Sequence, residues 1–67
     1  MKIVLNNNEE NFASEKMTIR ELLNEKNFTF KLLVVKINGK LVKKDKYEET
    51  YISDGDKVIV MHMVSGG

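Results

Sequence analysis

Thr18 and Glu21 stand three residues apart at the head of a run with helical spacing, and β-type residues lie on both sides of that run. This is the capping-box spacing. The Thr18 hydroxyl can accept from the Glu21 amide, and the Glu21 carboxylate can reach back to the Thr18 amide. Met17 before the cap and Leu22 at the fourth helical position fit a hydrophobic staple. Such a cap contributes about 1 kcal/mol. Ile19, Leu22 and Leu23 share one face, so the helix is amphipathic and needs a partner layer. It is expected to end near Lys26-Asn27, because Asn27 tolerates the left-handed backbone that closes helices.

The partner layer is read from the flanking segments. Met1 to Leu5 is apolar and β-branched and runs into Asn6-Asn7-Asn8, a turn signal. A short polar strand over Glu10 to Ala13 would complete a hairpin. After the helix, Leu32 to Ile37 reads as a strand, Asn38-Gly39 as a tight turn and Leu41-Val42 as a return strand. Lys43 to Ser53 is polar and reads as irregular, anchored by Tyr47, Tyr51 and Ile52. Asp54-Gly55-Asp56 is a second tight turn, and Lys57 to Val64 is the last strand. A hairpin, a helix and then further strands make an α+β chain, a mixed sheet of four to five strands curled over one main helix. Residues 1–64 are expected to form a single domain, with 65–67 as a flexible tail.

The chain has 67 residues and no cysteine. A chain of this size buries only about 60% of the surface its unfolded form exposes. Disulfides and cysteine-based zinc sites are excluded as staples, and a lone His62 makes no metal site. The charge is balanced, with 11 basic and 10 acidic residues. The cluster of Lys40, Lys43, Lys44 and Lys46 reads as a solvated loop rather than a nucleic-acid footprint. No signal-peptide pattern or membrane-length apolar run is present, so a cytoplasmic protein with no membrane partner is expected.

Catalytic constellations fail in turn. There is no Cys/His pair, and Ser14, Ser53 and Ser65 have only His62 as a base. The glycines are Gly39, Gly55, Gly66 and Gly67, which form no phosphate loop. His62 reads as a partly exposed side chain near the sheet end. Asp54-Gly55-Asp56 lacks the further carboxylate that a cation loop needs. No catalytic residue is expected, and no intrinsic enzyme.

The end of the chain is different. Val64-Ser65-Gly66-Gly67 finishes the last strand on two glycines, which order poorly and pack nothing. One reading is a frayed terminus. The other is a thin segment that enters a narrow active site of another protein. A carboxylate there could be activated as an acyl-adenylate and then converted to a thiocarboxylate by a sulfur donor, with no catalytic side chain on the carrier.

Several segments together resemble the ThiS family, the bacterial sulfur carriers of thiamine biosynthesis within the ubiquitin-like β-grasp superfamily. They are Met1-Lys2-Ile3, Thr18-Ile19-Arg20-Glu21-Leu22-Leu23, Val35-Lys36-Ile37-Asn38-Gly39 with Leu41-Val42, Ser53-Asp54-Gly55-Asp56-Lys57-Val58 and Val64-Ser65-Gly66-Gly67. The chain departs at Lys43-Lys44, where the family often has Pro and Arg. The resemblance implies a β-grasp fold and a cycle. The Gly67 carboxylate is adenylated with ATP on a ThiF-like activating enzyme, and sulfur comes from a donor such as a cysteine desulfurase. A ThiG-like thiazole synthase then takes it into thiamine's thiazole ring. Gly67 would carry the sulfur and Gly66 would keep the approach slim. The carrier would bind no cofactor itself and would be a monomer when free.

Alternation along the last strand puts Val58 and Val60 on one face and Ile59, Met61 and Met63 on the other. The second set, leading through Val64 and Ser65 to the tail, is the expected docking face for the activating enzyme. The opposite assignment would put the methionines in the core. Three rival functions share parts of the pattern. Molybdopterin-synthesis carriers use the same chemistry, but tend to be longer and often have prolines where this chain has Met61-His62-Met63. A ubiquitin-like modifier would conjugate to lysines, and a plain β-grasp interaction module would make no use of Gly66-Gly67.

Overall fold

The computed structural model describes residues 1–29 and 32–63. Seven strands and one α-helix follow in the order β1 (Lys2–Leu5), β2 (Asn8–Asn11), β3 (Met17–Thr18), α1 (Ile19–Glu25), β4 (Leu33–Ile37), β5 (Lys40–Val42), β6 (Tyr51–Ile52) and β7 (Lys57–His62). A 3-10 turn at Lys44–Lys46 lies between β5 and β6. The main sheet has five strands in the order β2-β1-β7-β4-β5, and β3 and β6 form a separate two-stranded ribbon.

Both hairpins of the main sheet are set by paired left-handed residues. Asn6 and Asn7 have φ of 50° and 69°, and Asn38 and Gly39 have 51° and 84°. Two consecutive positive φ values make the turn whose twist matches that of the strands it joins. The first turn is therefore two residues long, and β2 starts at Asn8 and ends at Asn11, paired Leu5↔Asn8 through Lys2↔Asn11. This corrects the expected strand over Glu10 to Ala13: Asn8 belongs to the ladder, not the turn.

The helix carries the full capping box. The Glu21 amide donates to Thr18 Oγ1 at 3.1 Å, and the Thr18 amide donates to Glu21 Oε1 at 2.8 Å. The next two amides, of Ile19 and Arg20, donate to the carbonyls of Thr50 and Tyr47, so the long loop closes the helix start. At the other end Asn27 has φ 57°. The Phe28 amide donates to the Leu23 carbonyl at 2.8 Å and the Asn27 amide to the Asn24 carbonyl at 3.1 Å. This is a Schellman closure, and Phe28 packs against the core beneath it.

The core joins the helix face Ile19, Leu22 and Leu23 to Ile3, Leu5, Val35, Val58 and Val60 of the sheet, with Met17, Tyr47 and Ile52 closing one side. Tyr47 and Ile52 anchor the loop as expected. Tyr51 does not: it is exposed, because Ile52 beside it on β6 points into the core and alternation turns Tyr51 the other way. Instead Lys16 Nζ sits 4.4 Å from its ring centroid.

Tyr47 gives stability a pH dependence. Burial raises its phenol above the ordinary 10.0, partly opposed by the Arg20 guanidinium 5.4 Å from the ring. The folded state thus holds the proton to higher pH than the unfolded state. That stability is fully present below the unfolded pKa of about 10 and is lost as pH rises through the folded value. The urea midpoint is expected to fall as pH rises above about 10, and Tyr47→Phe is expected to flatten that fall. An unchanged slope in the variant would assign it to the lysines instead.

The Asp54-Gly55-Asp56 turn is a cross-brace. Asp54 Oδ1 accepts from the Lys2 amide at 2.7 Å, and the Gly55 amide donates to the Lys2 carbonyl at 2.7 Å. Asp56 accepts from the Ser53 amide at 2.8 Å and from Asn38 Nδ2 at 3.1 Å, and Asn38 Oδ1 accepts from the Lys57 amide at 2.9 Å. The turn thereby ties β1, the β4–β5 turn and the start of β7 to one another. Gly55, at φ 88°, supplies the backbone that a side chain would strain.

Candidate docking face and carrier terminus

β7 occupies the middle of the sheet. It runs parallel to β1 only over Val4↔Lys57 and Leu5↔Val58, and antiparallel to β4 over five pairs from Ile37↔Val58 to Leu33↔His62. Where β1 stops, Asn6 takes over. Its amide donates to the Val58 carbonyl at 2.9 Å, and its Oδ1 accepts from the Val60 amide at 2.8 Å. Beyond Val60, β7 runs along β4 as far as the Met63 amide, which donates to the Leu32 carbonyl at 2.9 Å. The strand therefore leaves the sheet supported by β4.

The faces of β7 are unequal. Val58 and Val60 are 0% and 7% exposed and pack into the core; Met61 and Met63 are 45% and 52% exposed, and Ile59 is half-buried. Ile59 and Met61 thus stand on the open face of the sheet. The cross-strand register adds neighbours: Val34 lies opposite Met61, Lys36 opposite Ile59, and Leu41 opposite Lys36. The open face is apolar along β7 with a cation, Lys36, beside it. The contributions of Val34, Lys36 and Leu41 were missed in the sequence. Alternation through Leu33–Ile37 assigns them to a face only once the register with β7 is known.

Four of the expected site residues, Val64, Ser65, Gly66 and Gly67, lie outside the described residues. His62 is exposed at the end of β7. Among the described residues, no group of three or more His, Cys, Asp or Glu side chains could hold a metal ion. The carboxylates of Asp54 and Asp56 are engaged by backbone amides. Glu10 is engaged by Lys26 at 3.1 Å, and Glu21 by the helix cap.

A five-stranded mixed sheet, with its first and last strands parallel at the centre, wraps one capped helix; this is a ubiquitin-like β-grasp domain. The crystal structure of the thiamine biosynthesis protein ThiS from Geobacter metallireducens superposes on it with a TM-score of 0.90, covering 100% of both chains at 23% identity. The ThiS family model matches residues 2–67, and the chain belongs to the ThiS family. The sulfur carrier protein ThiS of Bacillus subtilis is 29% identical over 63 residues, covering 94% of this chain and 96% of that one. A thiazole synthase of Paramagnetospirillum magneticum is 36% identical over all 67 residues. The chain spans only 20% of that enzyme's length.

Proposed function

We propose that the chain is a sulfur carrier of thiamine biosynthesis that works through the carboxylate of Gly67. The observation that carries this reading is the family match running through the final Val64-Ser65-Gly66-Gly67. It is supported by the placement of that segment directly after a central strand with an apolar open face. The Gly67 carboxylate attacks the α-phosphorus of ATP on an adenylating ThiF-like enzyme, releasing pyrophosphate and leaving an acyl-adenylate. A persulfide supplied from a donor such as a cysteine desulfurase displaces AMP to give an acyl disulfide. Two thiols on the partner proteins reduce its S–S bond, becoming a disulfide themselves, and the thiocarboxylate released is the cargo. ATP is used on the partner, and the carrier contributes no catalytic side chain. Gly66 and Gly67 lack Cβ atoms, so the backbone can approach reacting groups closely.

The client is the thiazole ring, formed on a ThiG-like synthase. A thiazole synthase containing a segment similar to the whole of this chain supports that choice over molybdopterin. The setting is the cytoplasm, with the free carrier a monomer. No helix among the described residues is long and apolar enough to cross a membrane.

Intact-mass spectrometry tests the carrier role. After incubation of the untagged chain with ATP, the activating enzyme and a sulfur donor, one C-terminal oxygen is expected to be replaced by sulfur. No change of mass, beside a known carrier that the same enzyme converts, would move the function to a conjugating modifier or an interaction module.

Ile59, Met61 and Met63 would dock on the activating enzyme, with Val64 and Ser65 leading into its active site. Met61→Glu puts a charge at the middle of the face without touching the core. It is expected to slow conversion about tenfold or more while leaving the urea midpoint in place. Normal conversion of the folded variant would remove Met61 from the interface.

A further inference from the structure

The carrier chemistry proposed above assigns no role to the lysine cluster after the β4–β5 turn. In the fold, Lys40, Lys43 and Lys46 line an open groove of about 680 Å³ together with Leu41, Val42 and Tyr51. Among the described residues no carboxylate lines this groove, although the whole chain is nearly balanced at 11 basic and 10 acidic residues. Lys16, over the Tyr51 ring, brings a fourth cation to its rim. Lys46 is shared with Glu49 at 2.9 Å, which leaves Lys40 and Lys43 as the main sources of its potential. Leu41 and Tyr51 are 61% and 51% exposed, the first and third largest values among the exposed large apolar side chains.

The groove also borders an open edge. β5 ends the sheet order β2-β1-β7-β4-β5. In a hairpin with a two-residue turn, the pair flanking the turn exchanges both hydrogen bonds, and the bonded pairs then alternate. Here that pair is Ile37↔Lys40, so Val35↔Val42 is the next bonded pair and Lys36↔Leu41 lies between them. The N–H and C=O of Leu41 accordingly point away from β4, toward the side where an added strand would pair.

We infer that this groove docks an extended acidic segment of a partner protein, which pairs with β5 at Leu41 and sets its carboxylates among Lys40, Lys43 and Lys46. Charge selects the occupant: a segment lacking carboxylates would leave the lysines without partners, and a basic one would be repelled. Backbone pairing supplies direction and register, and Leu41 and Tyr51 supply apolar contact for alternate side chains. Leu41 also borders the open face of β7, but Lys40, Lys43 and Tyr51 do not belong to that face, and peptide binding is read without sulfur transfer.

The test is a titration of the ¹⁵N-labelled full chain at low salt with a short capped peptide alternating glutamate and valine. The amides of Lys40 to Lys43 and of Thr50 and Tyr51 are expected to shift, and the affinity to fall as salt is added. The double variant Lys40→Glu, Lys43→Glu is expected to bind about tenfold more weakly while its β1 and β7 amides keep their positions. Leu41→Pro removes the outward N–H at an edge position that tolerates proline and is expected to weaken binding by a similar factor. The proposal is overturned if no amide shifts at millimolar peptide, if the shifts centre on Ile59 and Met61, or if a lysine–valine peptide binds as well. Unchanged binding by Leu41→Pro overturns the strand pairing. Tighter binding of single-stranded oligothymidylate to the same lysines overturns the choice of a protein partner.

Discussion

A chain ending at Ser65 is expected to fold like the full chain and to take up no sulfur. Among the described residues, the buried core runs from Ile3 to Val60. Loss of two terminal glycines beyond them is expected to change stability by no more than about 0.5 kcal/mol. The truncated chain still has a carboxylate, so the expected loss has two causes. The carboxylate is withdrawn by up to roughly 7 Å, the reach of two residues, and it then sits on a residue with a Cβ where the proposed carrier role calls for a slim backbone. Intact-mass measurement with ATP, activating enzyme and donor reads the result directly. Conversion of the truncated chain at the full-length rate would mean that neither reach nor slimness matters, and the carrier reading would lose its chemical basis at Gly67.

Leu22→Ala is expected to cost about 3 kcal/mol of stability. Leu22 is 0% exposed at the centre of the helix face, within the cluster that includes Ile3, Ile52 and Val58. A domain of 67 residues has a total stability of roughly 3–10 kcal/mol, so one cavity removes a third or more of it. Urea unfolding followed by far-ultraviolet circular dichroism would measure the shift in midpoint. A loss below about 1 kcal/mol would show that the helix is not packed against the sheet as described. The same variant should leave the lysine groove and the outer face chemically intact in whatever fraction remains folded.

The helix and both turns of the main sheet were legible because their signals are local. Thr18 and Glu21 are three residues apart and satisfy each other, and Asn38-Gly39 accepts positive φ without help from elsewhere. The Thr50 carbonyl that accepts from the Ile19 amide was not legible. Neither was the Met17↔Ile52 pairing. Both join positions about thirty residues apart in a polar loop with no strand pattern of its own. Tyr51 was misassigned as an anchor for the same reason: in a two-residue ribbon, register alone decides which ring turns inward. Alternation separated Ile59 and Met61 from Val58 and Val60, but it left either set free to face outward, and the packing of the two valines on the helix decides it. The breadth of the face they share with Val34 and Leu41 needed the β4–β7 and β4–β5 registers. The groove was the least legible feature, because its lysines looked like a solvated loop until Tyr51 and the edge of β5 closed around them.

The central place of β7 bears on how the molecule is made. The β1–β2 and β4–β5 hairpins join the same sheet only through β7, which separates β1 from β4. As the chain emerges from the ribosome, each hairpin can close on its own, but a lone two-stranded hairpin is barely stable in water. The sheet is complete only when Lys57–His62 has cleared the exit tunnel and slid between them. A nascent chain stalled before residue 57 would therefore hold two hairpins and a capped helix that no central strand yet joins into one sheet.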